Sequence, residues 1–267
     1  MGEEQIEVGS EAYKEIMRQA YGEHFLNIVD ILDRQDFYGI VAEEGVRFCA
    51  DKMGLTAESH VLELCSGIGG PARFMARTYG CRVTGIDINE FSHRVAEERT
   101  HQAGLENLVD FRCGNALEIP SPDESFTHAF GCDAWSYFPD KAALYRAVHR
   151  VLKPGGTVAF LDTAETGRKT QKSHWEEIWG SYHPETRELY ISLLEAAEFQ
   201  QVRHHDTTEL AVRETVDLIN RLIKEREKVL KVAGGEGYYA ILETWAEILA
   251  EIQLGWVSHC CFIACKP

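Results

Sequence analysis

Between residues 60 and 162, short apolar segments alternate with segments of helical periodicity, and this alternation limits the fold more than any other feature of the chain. The predicted strands cover residues 60–65, 81–86, 108–113, 125–131 and 157–162. The helices predicted between them cover residues 70–79, 90–103 and 141–152. Strands that are joined in this way by helices form right-handed βαβ units. We therefore expect a parallel sheet covered by helices on both faces, with a ligand bound at the carboxyl ends of its strands.

The segments on either side of this alternation are mainly helical. Residues 10–53 carry apolar side chains at helical spacing. Beyond residue 165, the pattern predicts helices over 185–197, 212–232 and 238–252 and strands over 199–206 and 256–265. Because a tight hairpin would not need two helices between its strands, we expect the two long helices to form a cap over the ligand site.

The net charge limits the partners of this protein. The chain of 267 residues carries a formal net charge of −16. This charge disfavours DNA, RNA and anionic membranes, because a site that binds phosphates needs clustered Lys and Arg. The N-terminal MGEEQIEVGS lacks the apolar core of a secretory signal, and no apolar run is long enough to span a bilayer. We therefore expect a cytoplasmic protein that acts on a neutral or cationic small molecule.

Eight cysteines are scattered along the chain without a C-x-x-C pair. Because structural zinc sites use paired ligands at close spacing, we expect no metal and reduced thiols that pack as small hydrophobic side chains. Cys260, Cys261 and Cys265 raise the possibility of thiolates that bind arsenite. Strand alternation places Cys260 on the opposite face from Cys261, however, and this favours core packing.

The loop CSGIGGPA follows the first predicted strand and opens a helix. Gly67 and Gly69 allow a ligand to approach the backbone N–H groups at the start of that helix. The same residues satisfy the G-x-G-x-x-G/A fingerprint, so the loop alone does not distinguish a dinucleotide from another adenosine ligand. Glu63 lies in the preceding strand, where a carboxylate favours a cationic ligand over a pyrophosphate.

Two further strand ends carry polar side chains suited to adenosine. Asp87 ends the second strand, where a carboxylate can accept both ribose hydroxyls. Asn115 and Ala116 follow the third strand, where the amide can meet the exocyclic amine of adenine. Each polar residue also has a structural alternative, with Glu63 as a hydrogen-bonded strand residue, Asp87 as a helix N-cap and Asn115 as a turn former.

Four blocks of the sequence resemble, in order and spacing, the motifs of class I S-adenosylmethionine-dependent methyltransferases. The blocks are VLELCSGIGG, VTGIDIN, CGNALEIPSPDESFTHAF and RVLKPGGTVAFLD, and they lie within about residues 58–165. TYGCRVTGIDIN with HQAGL is most similar to the small-molecule branch, which includes sarcosine/dimethylglycine N-methyltransferases and isoprenoid or sterol C-methyltransferases. The resemblance implies an α/β fold with a Rossmann-like, seven-stranded doubly wound sheet whose last strand, WVSHCCFIACKP, is antiparallel.

The pattern and the resemblance together divide the chain into three parts. Residues 1–55 form an N-terminal helical arm or lid, and residues 56–165 form the S-adenosylmethionine-binding core. Residues 166–267 complete the sheet and carry a helical substrate cap at about 207–252. The arm and the cap helices also offer surfaces for a homodimer.

The resemblance implies roles for the matching positions. Glu63, Cys65, Gly67 and Gly69 would hold the methionine moiety, Asp87 the ribose, and Ile88, Asn115 and Ala116 the adenine. Cys132 and Asp133 would lie beside the sulfonium and its methyl group. The N-terminal AYGEHF resembles a family segment that folds over the cofactor, so Tyr21 and His24 are also expected at the pocket. The product would be S-adenosylhomocysteine, without a metal.

The acceptor is less closely specified. In dimethylglycine-type enzymes an Asp-Ala pair precedes an aromatic residue and a histidine; here Asp133 and Ala134 are present and the histidine is absent. We expect in-line transfer to a small molecule, with an amine nitrogen preferred, an alkene or isoprenoid-type carbon as the alternative, and oxygen or arsenic less favoured. Proton removal would fall, in this order, to Asp133, His24 or Tyr21. The aromatic residues expected to contact the substrate are Trp135, Tyr137, Trp175 and Trp179.

Two other classes of protein share part of this pattern. A nicotinamide-dependent oxidoreductase would share the glycine loop and Asp87, but it leaves Glu63, the KPGG turn and the final strand without an explanation. A non-catalytic binding protein would also retain the loop and the ribose carboxylate, since neither bears on catalysis.

Overall fold

The structure is a computed structural model that describes residues 9–34, 36–168 and 182–267. Its strands are β1 (His60–Leu64), β2 (Arg82–Asp87), β3 (Val109–Cys113), β4 (Phe126–Cys132), β5 (Leu152–Glu165), β6 (Glu185–Thr186), β7 (Gln200–Asp206) and β8 (Val257–Cys265). All but β6 follow one another across a mixed sheet in the order β3-β2-β1-β4-β5-β8-β7. Strands β1 to β5 are parallel, whereas β8 lies antiparallel between β5 and β7. The predicted doubly wound sheet with an antiparallel last strand is confirmed.

The described part of the chain forms eight strands rather than the expected seven, because the short β6 joins the sheet. This strand pairs in parallel with Ala164 and Glu165, at the far end of β5. It can do so because β5 is 14 residues long and continues beyond the predicted end at residue 162. β5 also begins at Leu152 rather than at residue 157, since Leu152 already pairs with Phe126 before a bulge in the ladder.

Helices precede, connect and follow these strands. They are α1 (Glu11–Ala20), α2 (Glu23–Ile31), α3 (Glu43–Met53), α4 (Gly70–Tyr79), α5 (Glu90–Gln102), α6 (Lys141–Val151), α7 (Arg187–Ala196), α8 (Thr208–Lys224) and α9 (Arg226–Gln253). The sequence sets their limits locally: α4 has Pro71 in its first turn and ends at the left-handed Gly80. In the described part of the chain, every helix is too short or too polar to cross a bilayer.

The sheet separates two apolar cores, as β8 illustrates. Cys260 and Phe262 belong to one buried cluster, and Cys261 and Ile263 belong to the other. This is the alternation expected of a strand buried on both faces. The first cluster includes side chains of α6 and α7, and the second includes side chains of α3 and α4.

The two helices between β7 and β8 are divided differently from the prediction. The first break comes at Glu225, between α8 and α9, within the segment predicted as one helix over 212–232. Gly234, where the break was expected, has φ 68° and ψ −179° and introduces a kink within α9. Both helices pack against α2 through a buried cluster of Ile28, Leu32, Leu218, Leu222, Val229 and Tyr238. The N-terminal arm and the predicted cap helices therefore pack directly on each other.

Candidate active site

A cavity of about 180 Å³ lies at the carboxyl ends of the parallel strands. The strand ends line it with Cys65, Gly67, Asp87, Ile88, Asn115, Ala116, Cys132, Asp133 and Asp162. The N-terminal arm adds Tyr13, Met17, Tyr21 and Tyr38, and α9 adds Trp245, Ile248, Glu251 and Ile252. The charged side chains on the described part of this wall are all acidic, namely Asp87, Asp133, Asp162 and Glu251. The cavity therefore favours a ligand with positive charge.

The glycine loop is tied to the end of β2 by Asp87. Gly67 and Gly69 have φ of 51° and 79°, in the left-handed region that glycine adopts readily. The N–H of Gly67 donates to Oδ2 of Asp87 at 2.8 Å, and the N–H of Asn89 donates to Oδ1 at 2.8 Å. Burial raises the pKa of Asp87, and these N–H groups oppose the rise. The carboxylate is therefore held at the cavity by the backbone on either side of it.

The helix-capping role considered for Asp87 is performed by Asn89, two residues further along the chain. Asn89 is the N-cap of α5, and its Oδ1 accepts the N–H groups of Phe91 and Ser92. Asn115 performs the turn-forming role considered for it, since its Oδ1 accepts the N–H of Leu117 at 3.0 Å. It also lines the cavity.

Glu63 and Gly69 are the two predicted cofactor residues that do not line the cavity. The carboxyl of Glu63 accepts the backbone N–H of Ala72, in the first turn of α4, and its Oε2 has no partner among the described residues. Burial raises the pKa of Glu63 to about 8, and nearby Arg73 opposes the rise. Burial thus favours the protonated form of the Glu63 carboxyl, and its predicted role at the methionine moiety stays a prediction.

Asp133 lies where β4 ends, and distant parts of the chain hold it. Its Oδ2 accepts the N–H of Val41 at 3.1 Å, and its Oδ1 lies 2.8 Å from Nε2 of His259. Asp133 has φ 50°, which is uncommon for a residue other than glycine and requires such support. Gly39 passes so close that a Cβ there would come within 2.8 Å of the Asp133 Cβ. The carboxylate is thus confined to one position on the cavity wall.

Asp162 is a further buried carboxylate, at the end of the predicted fifth strand. Its Oδ2 accepts the N–H of Ser136 at 2.8 Å, and its Oδ1 accepts the N–H of Thr163 at 2.8 Å. Burial raises the pKa of Asp162 to about 6, and Asp133 adds to the rise. Two acidic groups therefore stand close enough to influence each other at this side of the cavity.

Aromatic side chains of the N-terminal arm close the cavity. Tyr21 stacks on Tyr38 with ring centroids 5.9 Å apart, and Phe25 meets both rings edge-on. The hydroxyl of Tyr21 is hydrogen-bonded with that of Tyr137, and burial raises the pKa of Tyr21 well above its usual value. A tyrosine in this state is a poor general base at neutral pH. Tyr21 therefore serves better as part of the cavity wall than as the proton acceptor considered for it.

Besides Glu63 and Gly69, two of the predicted catalytic and substrate-contact residues also lie away from the cavity. His24 is exposed on α2, because the apolar stripe that docks this helix includes the buried Ile28 and Val29 instead. Trp135 is fully buried in the core, where its ring stacks on Phe160 with centroids 4.5 Å apart. Neither residue lines the cavity, whereas Tyr137 does. Trp175 and Trp179 lie outside the described residues.

Residues 61–156 match the family model described as a methyltransferase domain. This match identifies a methyltransferase domain within the chain, and the fold around it is that of the class I methyltransferases. It is 28% identical over 234 residues to the glycine/sarcosine/dimethylglycine N-methyltransferase of Actinopolyspora halophila, in an alignment that covers 83% of this chain and 40% of that protein. It is 32% identical over 119 residues to the sterol 24-C-methyltransferase of Eremothecium gossypii, covering 45% of this chain and 32% of that protein. The chain thus spans less than half the length of these curated relatives.

A solved methyltransferase structure extends the likeness to most of the chain. It is phosphoethanolamine N-methyltransferase 2 of Haemonchus contortus in complex with phosphomonomethylethanolamine and S-adenosylhomocysteine. The TM-score is 0.86 at 20% identity, and the alignment covers 95% of this chain and 60% of that chain. This likeness establishes the methyltransferase fold beyond residues 61–156.

Four of the eight cysteines are buried, three are partly buried and Cys113 is exposed. All eight are free thiols. Cys260 and Cys261 face different cores, and Cys261 lies 3.5 Å from Cys49, sulfur to sulfur. Within the described ranges, no group of three His, Cys, Asp or Glu side chains is arranged to hold a metal ion.

Several residues of the cavity wall were not among the predicted site residues. They are Tyr13, Tyr38, Asp162, Tyr182, Trp245 and Glu251. Asp162 had a usable signal, because it follows an apolar strand at the edge where ligands bind. The others come from helices and loops whose direction depends on how the arm and α9 pack, and no local pattern marks them.

Proposed function

We propose that this chain transfers the methyl group of S-adenosylmethionine to the nitrogen of a small amine. The observation that carries the proposal is the cavity itself. It joins the glycine loop and Asp87, which suit an adenosine-type methyl donor, to a second group of acidic and aromatic side chains. A ligand site that combines these two halves suits two cationic molecules, a sulfonium donor and an ammonium acceptor.

The residues present fit the donor. Gly67 lets the loop pass close to the Tyr38 ring, because a Cβ at this position would come within 3.3 Å of that ring. Asp87 would accept the ribose hydroxyls, and Ile88, Asn115 and Ala116 would surround the adenine. When bound, the donor supplies a methyl group activated by positively charged sulfur, so that the carbon–sulfur bond breaks as the new bond forms. Cys65 and Cys132 line the cavity and would contact the methionine end.

The chain contributes position and charge to the reaction. The tyrosines of the arm cover the cavity and limit the access of water, which favours an in-line approach of the two reactants. Asp133 stands ready to accept the proton that an ammonium acceptor must lose before it can react. Asp162, deeper in the wall, adds negative potential on the same side. These groups would lower the barrier by holding the acceptor and by removing its proton.

The relatives support a nitrogen acceptor. The relative that aligns with 83% of this chain is named for the methylation of glycine, sarcosine and dimethylglycine. The solved structure from Haemonchus contortus is a complex with a methylated amine. Both names concern amine nitrogens, and the acidic wall of this cavity would attract such a group in its protonated form.

Methylation of an alkene carbon is the second candidate. Tyr13, Tyr21, Tyr137, Tyr182 and Trp245 line the cavity, and aromatic faces stabilise a carbocation by about 0.5–2 kcal/mol each. The sterol 24-C-methyltransferase relative supports this candidate. Asp133 would then remove a proton from the methylated carbon skeleton.

The first experiment is calorimetry with S-adenosylhomocysteine. We expect saturable binding at one site per chain, and no binding would refute the proposal. A parallel fluorescence titration with NADH tests the oxidoreductase alternative, for which we expect no saturation. The exposed His24→Ala variant is the matched control and should bind like the wild type.

The second experiment is a screen with isotopically labelled S-adenosylmethionine against panels of amines and alkenes. Mass spectrometry identifies the methylated product, and NMR shows whether the label is on nitrogen or carbon. Label on nitrogen supports the main proposal, and label on carbon replaces it by the second candidate. Saturable cofactor binding without any product in either panel would favour a non-catalytic binding protein.

We also propose a cytoplasmic location, and the arm and the cap helices offer surfaces on which a homodimer could form. Light scattering after size-exclusion chromatography measures the oligomeric state, and a tagged full-length protein localised in cells measures the location. A monomer at working concentration would exclude the homodimer.

A further inference from the structure

His259 is a buried imidazole within an apolar strand. Only 1% of its surface is exposed, and in β8 it lies opposite Thr163 of β5. A buried polar ring costs free energy unless its nitrogens are hydrogen-bonded. Both nitrogens have partners here: Nδ1 lies 2.7 Å from Oγ1 of Thr207, and Nε2 lies 2.8 Å from Oδ1 of Asp133. The ring thus connects the residue before α8 to the carboxylate at the end of β4.

The carboxylate determines which ring nitrogen carries the hydrogen. An ionised carboxylate only accepts hydrogen bonds, so Nε2 of His259 must be the donor to Asp133. In a neutral ring Nδ1 is then the acceptor, and the hydroxyl of Thr207 donates to it. On the other side, Oδ2 of Asp133 accepts the N–H of Val41. Two donors from opposite ends of the chain therefore fix the orientation of the carboxylate.

The carboxylate that is held in this way faces the ligand cavity. The side chain of Asp133 keeps 7% of its surface exposed, and this residue lies on the cavity wall, whereas His259 does not. The other titratable or charged groups that act on it are Arg34, Cys132, Tyr137, Asp162 and Tyr182. His259 is hydrogen-bonded directly to the carboxylate from the side opposite the cavity.

We propose that His259, oriented by Thr207, is a positioning residue that holds Asp133 to accept a proton from the acceptor. This inference rests on the proposed transfer to an amine. An ammonium nitrogen has no free electron pair until it loses a proton. In the step considered, one N–H bond of the ammonium breaks, an O–H bond forms on Asp133, and the nitrogen retains the electron pair with which it reacts.

The hydrogen bonds of His259 matter for this step because proton transfer depends on geometry. A carboxylate with a single donor would rotate about its side-chain torsions, whereas two donors leave it one orientation. His259→Leu removes the hydrogen-bond donor but still fills the buried position with a side chain. His259→Gln keeps an N–H group close to the position of Nε2. The pair of variants therefore separates the hydrogen bond from the bulk of the ring.

The first test does not depend on activity. NMR of protein labelled with ¹⁵N-histidine shows which ring nitrogen is protonated, and the His259 signals are assigned by their loss in His259→Gln. We expect the Nε2-protonated form, and we expect Asp133→Asn to shift these signals but not those of the exposed His204. An Nδ1-protonated ring, or signals that are insensitive to Asp133→Asn, would overturn the proposal.

The second test uses the amine acceptor identified for the wild type. Because a misplacement of about 1 Å can cost about 100-fold in rate, His259→Leu should lower kcat by at least about tenfold. KM for the donor and the affinity for S-adenosylhomocysteine should stay within about twofold. His259→Gln should restore part of kcat, and the control His204→Leu, on the neighbouring β7, should leave it unchanged.

A double-mutant cycle completes the design. If His259 acts through Asp133, then His259→Leu should have no further effect on kcat in an Asp133→Asn background. Additive losses would overturn the proposal, as would a loss of kcat that follows a lower melting temperature and weaker cofactor binding. A wild type that binds S-adenosylhomocysteine but methylates no amine would refute the proposed function instead, and the NMR result would still decide the pairing.

Discussion

The donor half and the acceptor half of the cavity are held in different ways. In the donor half, Asp87 binds the N–H of Gly67 on the adjoining strand end, 20 positions away. In the acceptor half, Asp133 binds Val41, 92 positions away, and His259, 126 positions away. The donor half is therefore built within one continuous βαβ region, whereas the acceptor half forms only when the arm, the sheet and the last strand have all docked.

The N-terminal arm links the two halves. The Nδ2 of Asn89 donates to the carbonyls of Met17 and Tyr21, so the end of β2 also anchors the arm that covers the cavity. Apart from this link, substitutions in one half should leave the other intact. Changes in the donor half should weaken cofactor binding, and changes in the acceptor half should impair transfer while the cofactor still binds.

The largest effect is expected at Trp135, which supports the acceptor half from the core. Its ring packs between Phe160 and Tyr145, with centroids 4.5 Å and 5.8 Å away. Trp135→Ala would leave a large cavity beneath the turn that carries Tyr137, and we expect it to lower the free energy of unfolding by about 3–5 kcal/mol. Urea denaturation followed by circular dichroism measures this loss.

The matched control lies two positions along the same turn. Tyr137→Phe removes only the hydroxyl that is hydrogen-bonded with Tyr21, and such a bond contributes about 0.5–1.5 kcal/mol. A loss from Trp135→Ala no larger than that from Tyr137→Phe would mean that Trp135 is not a core residue. The original substrate-contact hypothesis for Trp135 would then return.

The next effect is expected at Gly39, which borders Asp133. A Cβ at this position would come within 2.9 Å of the Asp133 Cγ, so Gly39→Ala must displace the carboxylate. Because a misplacement of about 1 Å can cost about 100-fold in rate, or about 2.7 kcal/mol, we expect kcat to fall by this order. Affinity for S-adenosylhomocysteine should stay within about twofold, since the donor half is untouched.

Gly235→Ala is the control for this substitution. No atom lies within 4 Å of a Cβ built at Gly235, so this variant should behave like the wild type. Equal losses of kcat and cofactor affinity in Gly39→Ala would show that the two halves are not independent. In that case the arm would transmit the disturbance through Asn89.

The contrast between the halves also explains what could be predicted from the sequence. The loop, Asp87 and Asn115 follow strands that local periodicity locates, and the carboxyl ends of parallel strands meet at one edge. The direction of Trp135 could not be read in the same way, because a three-residue 3-10 turn has neither strand nor helix periodicity to separate its inward from its outward side. The pairing of Asp133 with His259 required the antiparallel placement of β8 and the start of α8.

Some local features were also hidden by ordinary propensities. The break at Glu225 falls between residues that favour helix, and the cluster of α2 with α8 and α9 determines where it occurs. The exposure of His24 depends on which stripe of α2 docks. In both cases long-range packing overrides the local pattern, as it does in the acceptor half.

A smaller effect is expected at Asp87, which tests the donor half directly. Asp87→Ala removes a carboxylate that would accept the ribose hydroxyls and leaves the Gly67 N–H without its partner. Hydrogen bonds to a charged group contribute about 1.5–3 kcal/mol, so we expect affinity for S-adenosylhomocysteine to fall by about 30-fold. Calorimetry measures the change, with the exposed Asp123→Ala as control. Unchanged affinity would remove Asp87 from the ribose site.

The smallest effect is expected at Glu63, behind the donor half. Its folded pKa of about 8 lies above the ordinary value of 4.5, so between these values the folded protein retains a proton that the unfolded chain has released. Stability must therefore fall as the pH rises through this window, by at most about 1.4 kcal/mol per pH unit. Glu63→Gln cannot ionise and should lose this dependence. Other carboxyls such as Asp162 titrate in both proteins and cancel in the difference.

Urea denaturation of both proteins at pH 6 and pH 7 measures the contribution of Glu63. We expect the wild type to lose stability relative to Glu63→Gln across this step. Parallel behaviour would mean that the carboxyl is ionised throughout in the folded protein, with Arg73 outweighing burial. Glu63 would then supply negative charge behind the glycine loop, and the donor half would attract a cation in the same way as the acceptor half, through a carboxylate held in ionised form.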